Sequence, residues 1–178
     1  MRRIIATALT AASMLATTAI AQDSEFPTAE EIQDEANGVV ARHGDWQIAC
    51  DENGQNCRMA QLAIDAEGNS VVNVTMQSLP EGSSAQLGVV MVSPLLTLLP
   101  RGISVSVGDG VPAAYPFRWC DARGCYARFG LTAAQVEAFK AGDTATISIF
   151  AVTDEQNAVQ ATISLAGFTD SIADLAAR

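Results

Sequence analysis

The four cysteines and the single histidine carry most of the reactive potential of this chain. Cys50 closes the run Trp46-Gln-Ile-Ala-Cys50, and six polar residues separate it from Cys57. Cys120 follows Trp119 and is separated from Cys125 by Asp-Ala-Arg-Gly. Thiol redox chemistry calls for C-x-x-C at a helix start, which neither pair offers. Structural zinc calls for close C-x2–4-C knuckles, and the six residues between Cys50 and Cys57 are too many. Four cysteines permit three pairings. Facing residues of an antiparallel hairpin have Cα atoms about 4.5–5.5 Å apart, a span that suits a disulfide. The expected pairing is therefore local, Cys50 with Cys57 and Cys120 with Cys125. Rings of this size stabilise by roughly 2–2.5 kcal/mol each in the chain-entropy description.

Nucleophilic catalysis of the Ser-His-Asp or Cys-His kind would have to use His43, just ahead of Gly44-Asp45-Trp46. Its place at the entry to a strand marks it as a strand-edge residue, and Asp45 as a local hydrogen-bond acceptor. The acidic pairs Glu30/Glu31, Asp51/Glu52 and Asp154/Glu155 fall in expected loops or in the leader. Adjacent loop acids solvate more often than they catalyse. A carboxylate-dependent hydrolase stays open as an alternative, because its two acids need not be neighbours in sequence. Arg118, Arg123 and Arg128 form one basic spot around the second cysteine pair, with Asp121 at hand to balance it. The chain has no phosphate-binding glycine loop, dinucleotide fingerprint, nucleophile elbow or calcium loop. No catalytic residue, cofactor or metal ligand is assigned.

The oxidising chemistry implied by the cysteines agrees with the start of the chain. Arg2-Arg3, an uncharged stretch from Ile4 to Ile20, and Ala19-Ile20-Ala21 read as a secretory signal peptide over residues 1–21, cut between Ala21 and Gln22. That places the protein in the periplasm or outside the cell, where thiols pair. No transmembrane segment is expected after cleavage.

Removal of 21 of the 178 residues leaves 157, one domain's worth. Twenty acids against ten basic residues give −10; without Arg2 and Arg3 the balance is 8 − 20 = −12. Such a charge repels nucleic acid and anionic lipid and favours a partner with a basic surface.

Residues 22–41 form an acidic leader: six acids and no base lie between Asp23 and Ala41. Thr28 with Glu31 resembles a capping box, and Asn37-Gly38 a helix stop. Residues 42–178 read as a single β-rich domain. Trp46–Cys50 and Cys57–Ile64 flank a loop with Asn53-Gly54, a strong turn signal. Further strands are expected over Val71–Met76, Leu87–Ser93, Ile103–Val107, Tyr115–Cys120, Cys125–Phe129, Thr144–Thr153 and Val159–Leu165, with Asp154–Asn157 as a polar connection. The continuous apolar run Leu87–Ser93 fits a strand buried on both faces. Leu87–Leu99 as a whole is the most apolar stretch of the domain, readable as core or as an exposed partner- or membrane-facing patch. A helix capped by Thr132 and a short last helix capped by Thr169 complete the pattern. The fold class is all-β, an antiparallel sandwich or barrel with one or two short helices and two disulfide-clipped hairpins.

Gly44-Asp45-Trp46 followed by Cys50 and Cys57, then Phe117 and Cys120, Gly124-Cys125 and Ser164-Leu165-Ala166-Gly167-Phe168-Thr169, in this order, resembles the invasion-associated locus B family of Gram-negative envelope proteins. The resemblance spans roughly residues 44–175. It implies a periplasmic or secreted protein associated with host-cell contact, and it carries no catalytic residue to transfer. The functional expectation is an exported, non-catalytic interaction or accessory protein that meets an envelope or extracellular protein. A small-ligand carrier is the other alternative.

Overall fold

A computed structural model describes residues 38–178 of the chain. Residues 1–37, which include the expected signal peptide and most of the expected leader with its Thr28–Glu31 pattern, lie outside the described residues. The described part is a near-barrel of eleven antiparallel strands with two helices against one end. The strands are β1 Val39–His43, β2 Trp46–Ala49, β3 Arg58–Ile64, β4 Ser70–Ser78, β5 Leu87–Ser93, β6 Ile103–Val107, β7 Ala113–Tyr115, β8 Phe117–Asp121, β9 Gly124–Leu131, β10 Thr144–Ala151 and β11 Asp154–Ser164. The helices are α1, Ala133–Ala141, and α2, Phe168–Ala177. The spatial order is β7-β6-β10-β11-β3-β4-β5-β9-β8, with β1 and β2 branching from β3. The ring closes by side chains: Tyr115 of β7 stacks on Phe129 of β9 with centroids 3.5 Å apart.

The period-2 pattern sets the inner face. Leu87, Val89, Met91 and Ser93 alternate inward along β5, and Ala145, Ile147 and Ile149 along β10. The outward residues of β5 are half-buried, so this strand has one sealed face rather than two. Trp46, Ile48, Met59, Met76, Ile163 and Phe168 fill the end beneath α2.

Several boundaries differ from the sequence expectation, each for a local reason. Sheet structure begins at Val39, which pairs with Ala49 of β2 ahead of a register shift at Val40. The run Tyr115–Cys120 is two strands, because Pro116 has no N–H for a ladder. Asp154–Asn157 lies within the start of β11, at a register shift where the Asp154 carboxylate accepts from the Gln156 and Asn157 N–H groups. Helix α1 has the expected Thr132 cap, reciprocated by the Gln135 side chain. Helix α2 begins earlier than expected, capped by Gly167 rather than Thr169.

β3 and β11 share one main-chain pair, Thr162 with Ile64, before β2 takes over that edge of β3. Gln61 bridges the fork. Its Nε2 donates to the Ser164 carbonyl at 3.1 Å, and the Ser164 N–H donates to its Oε1 at 2.7 Å. One side-chain amide thus stands in for a missing strand partner.

Candidate interaction surface

The residues singled out in the sequence fall at the two ends of the barrel. At the helical end, the Gly44-Asp45-Trp46 and Ala166-Gly167-Phe168 segments cross each other. The Asp45 N–H donates to the Ala166 carbonyl at 3.3 Å, and Trp46 Nε1 donates to the Ser164 carbonyl at 3.1 Å. Trp46 and Phe168 are fully buried, with ring centroids 5.6 Å apart. The crossing is close enough to demand glycine twice. A Cβ on Gly44 would lie 2.4 Å from the Ala166 carbonyl oxygen, and one on Gly167 2.0 Å from that of His43.

His43 belongs to the same knot. Its Nε2 lies 2.8 Å from Asp174 Oδ2 on α2, and Arg178 grips the same carboxylate. Arg178 first, then His43, hold the Asp174 carboxyl below the usual carboxylate range. The histidine therefore ties the first strand to the last helix, and no Ser-His-Asp or Cys-His arrangement forms around it among these bonds. Both cysteine pairs are disulfides. Cys120 and Cys125 face each other in the β8–β9 register, and Cys50 and Cys57 lie just past the Ala49–Arg58 pair. Asp51 accepts from the Gln55 N–H and from Asn56 inside its ring. Arg123 pairs with Asp121 and leans over Tyr126. Glu30 and Glu31 lie outside the described residues. Among the described residues, no three His, Cys, Asp or Glu side chains stand close enough to hold a metal ion.

The opposite end is built differently. β5 leaves the core at Ser93 and enters Pro94-Leu-Leu-Thr-Leu-Leu-Pro100. This loop is strapped to the end of β10. The Leu98 N–H donates to the Phe150 carbonyl at 2.7 Å, and the Val152 N–H donates to the Leu96 carbonyl at 2.8 Å. Thr97, itself buried, donates its hydroxyl to the Pro94 carbonyl at 2.7 Å and touches Ser93 at 3.1 Å. The strapped backbone leaves Leu95, Leu96, Leu99 and Val152 exposed, Leu96 at 70 %. Leu96 also holds φ at +68°, the left-handed region that costs a Cβ-bearing residue roughly 1–2 kcal/mol. Arg101 lies over the Phe150 ring, 4.0 Å from its centroid, at the foot of the loop.

Three turns of the sheet each carry a fixed carboxylate, and those of Asp121 and Asp154 adjoin this loop through the Ser93–Cys125 pair and the Val152–Leu96 hydrogen bond. Asp65 accepts from the Glu67 and Asn69 N–H groups and the Asn69 side chain, Asp154 from Gln156 and Asn157, Asp121 from the Arg123 N–H. Asn69 for Asp65, Asn157 for Asp154 and the Arg123 N–H for Asp121 each lower the carboxyl below its ordinary range. The loop is thus an exposed aliphatic surface with two carboxylate-bearing turns next to it. Sequence reasoning had marked Leu87–Leu99 as core or as exposed patch; the structure splits it at Ser93 into one of each. Pro94 and Pro100 were the available signal for that split.

The β8 edge of the sheet is also open, but it is short, follows Pro116, carries a register shift at Arg118 and is clipped by the second disulfide. These are the devices by which proteins prevent edge pairing.

Comparison with known proteins agrees with the architecture. The crystal structure of invasion associated protein B from Bartonella henselae superposes with a TM-score of 0.66 at 18% identity, covering 77% of this chain and 95% of that one. No curated protein matches the sequence. The disulfides fit an oxidising, extracytoplasmic compartment, and among the described residues no helix is long and apolar enough to cross a membrane. The family model for invasion associated locus B (IalB) protein matches residues 46–176, and the chain belongs to that family.

Proposed function

We propose that the protein is an exported binding protein that works without turnover, and that it holds a partner protein through the Pro94–Pro100 loop. The observation that carries this reading is the exposed Leu96 at positive φ, in a loop tied to β10 by the Leu96 carbonyl and the Leu98 N–H. A loop free to relax would turn its leucines inward; this one is braced so that they project. Asp121 and Asp154, in the turns next to the loop, favour a partner whose apolar pocket is flanked by basic residues. The invasion-associated name of the family fits contact with another macromolecule in the envelope or beyond it.

The test pairs binding with chemistry. Affinity capture from envelope extracts is run with the wild type and with Leu95→Ser/Leu96→Ser/Leu99→Ser, at low and high salt. A screen for glycosidase, esterase and peptidase turnover runs beside it. The expected result is a partner lost with the three serines, captured more slowly as salt rises, and no turnover. Turnover abolished by replacing one residue in a folded protein would end the non-catalytic reading. Capture indifferent to the three serines would remove the loop.

A further inference from the structure

We propose that a cleft at the helical end of the barrel, between the β6–β7 hairpin and α1, binds a short neutral amphiphile. It would be a molecule with an apolar body and one hydrogen-bond acceptor. The cleft has a volume of about 240 Å³. It reaches inward past Val105 to Leu131 and Phe139 of the core. Cavities of about 150 Å³ lined by aliphatic and aromatic residues stay dry and take benzene, so this one has room for a chain of about eight carbons. It is too small for a helix about 10 Å across.

The lining fixes the chemistry of the ligand. None of its residues is charged, on a protein whose surface is otherwise strongly acidic, so a charged head would lose its hydration without a counter-charge. The polar side chains of the lining are Ser106, Gln135 and Tyr115. Gln135 Nε2 donates to the Tyr115 hydroxyl at 2.9 Å, while Gln135 Oε1 accepts from the Thr132 N–H and hydroxyl. The amide oxygen is thus occupied and one amide N–H is spent on the tyrosine, which acts as acceptor toward it. The phenolic proton remains to be donated, and an acceptor on the ligand would take it. Stacking on Phe129 and the capping box of α1 hold the ring and the amide in place before any ligand arrives. At the mouth, Val111 is 93 % exposed and continues the apolar wall outward.

The experiment is an NMR titration of the folded protein with 2-octanone, with octane and octanoate as controls for the acceptor and for charge. The expected result is saturable shifts at Val111, Leu131 and Ala138, with 2-octanone binding more tightly than octanoate. Tyr115→Phe should weaken 2-octanone by roughly two- to tenfold, the worth of one hydrogen bond, and leave octane unchanged. Ala138→Phe, an exposed position facing the cleft, should weaken both neutral ligands at least about tenfold by filling it, with the melting temperature kept. Absence of saturable shifts in the wild type, or binding undiminished by Ala138→Phe, would overturn the site. Equal loss of octane and 2-octanone in Tyr115→Phe would overturn the role of the hydroxyl.

Discussion

Gly167 and Leu96 both adopt left-handed backbone, at φ +82° and +68°, and they sit at opposite ends of the barrel. At the helical end the conformation is met by glycine, and the space without a Cβ admits the His43 carbonyl. The rings beside it, Trp46 and Phe168, are then buried, and the carbonyl of Ser164 lies under two side-chain donors. At the loop end the same conformation carries a leucine, and the side chain faces water. One end removes strain to close the core; the other keeps strain to display an apolar surface. The difference separates what the family signature does from where partners would be met. Gly44-Asp45-Trp46 and Ala166-Gly167-Phe168 are a fastening, and the loop, which no part of that signature includes, is the face proposed for recognition.

The largest test of this contrast is Trp46→Ala. Removing a fully buried indole that also donates to Ser164 should cost about 3–5 kcal/mol. Denaturant unfolding measures it directly. A loss below about 1 kcal/mol would mean that the crossing of the two segments is not what closes this end.

The disulfides come next. Replacing Cys120 and Cys125 together by alanine opens a six-residue ring, and replacing Cys50 and Cys57 an eight-residue ring; each should lower stability by about 2 kcal/mol. Cys120–Cys125 lies beside the loop end, where Ser93 pairs with Cys125. Its removal should therefore weaken partner capture as well, while removal of Cys50–Cys57 should change stability alone. Equal effects on capture would blur the division of labour between the ends.

How much of this was legible in the sequence follows the same division. Strands with strict alternation or a β-branched run, such as Ile103–Val107 and Leu87–Ser93, coincide with the observed ones, because period 2 and a sealed inner face leave one register. The disulfides were legible because hairpin geometry limits which cysteines can face each other. The meeting of His43 with Asp174 was not, since 131 residues separate them and nothing local records the contact. The exposed half of Leu87–Leu99 was ambiguous for a related reason. Composition reports that a stretch is apolar, while exposure depends on hydrogen bonds from β10 that hold the loop away from the core. Gln61 and the cleft beside Tyr115 were invisible for want of any motif.

A narrower effect is expected from pH. Asp174 titrates below the ordinary carboxylate range when folded, chiefly because of Arg178 and then His43. A carboxyl whose folded pKa is depressed adds stability above its unfolded pKa, near 3.9, and that stability is lost as pH falls through the folded value. Asp174→Asn should therefore lower the melting temperature at neutral pH and flatten its decline in acid. The flattening will be partial, because Asp51, Asp65, Asp121 and Asp154 are depressed in the same direction. A melting profile in acid that stays parallel to wild type would show that the His43–Asp174–Arg178 cluster does not fasten α2.

The smallest change in stability, and the sharpest contrast, is expected from Leu96→Gly. Glycine relieves the left-handed strain, worth roughly 1–2 kcal/mol, and adds unfolded-state entropy that offsets about 0.5–1 kcal/mol of it. The lost side chain is mostly in water, so little burial is given up. The melting temperature should stay level or rise by a few degrees, while capture of the partner falls. No substitution at Trp46 can behave this way, because there the side chain is the core. If Leu96→Gly destabilised the protein by several kcal/mol, the leucine would be holding the loop rather than being held out by it. If it were stabilising and left capture intact, the strain would serve only the turn from β5 toward β10, and the apolar tip would lose its claim to recognition.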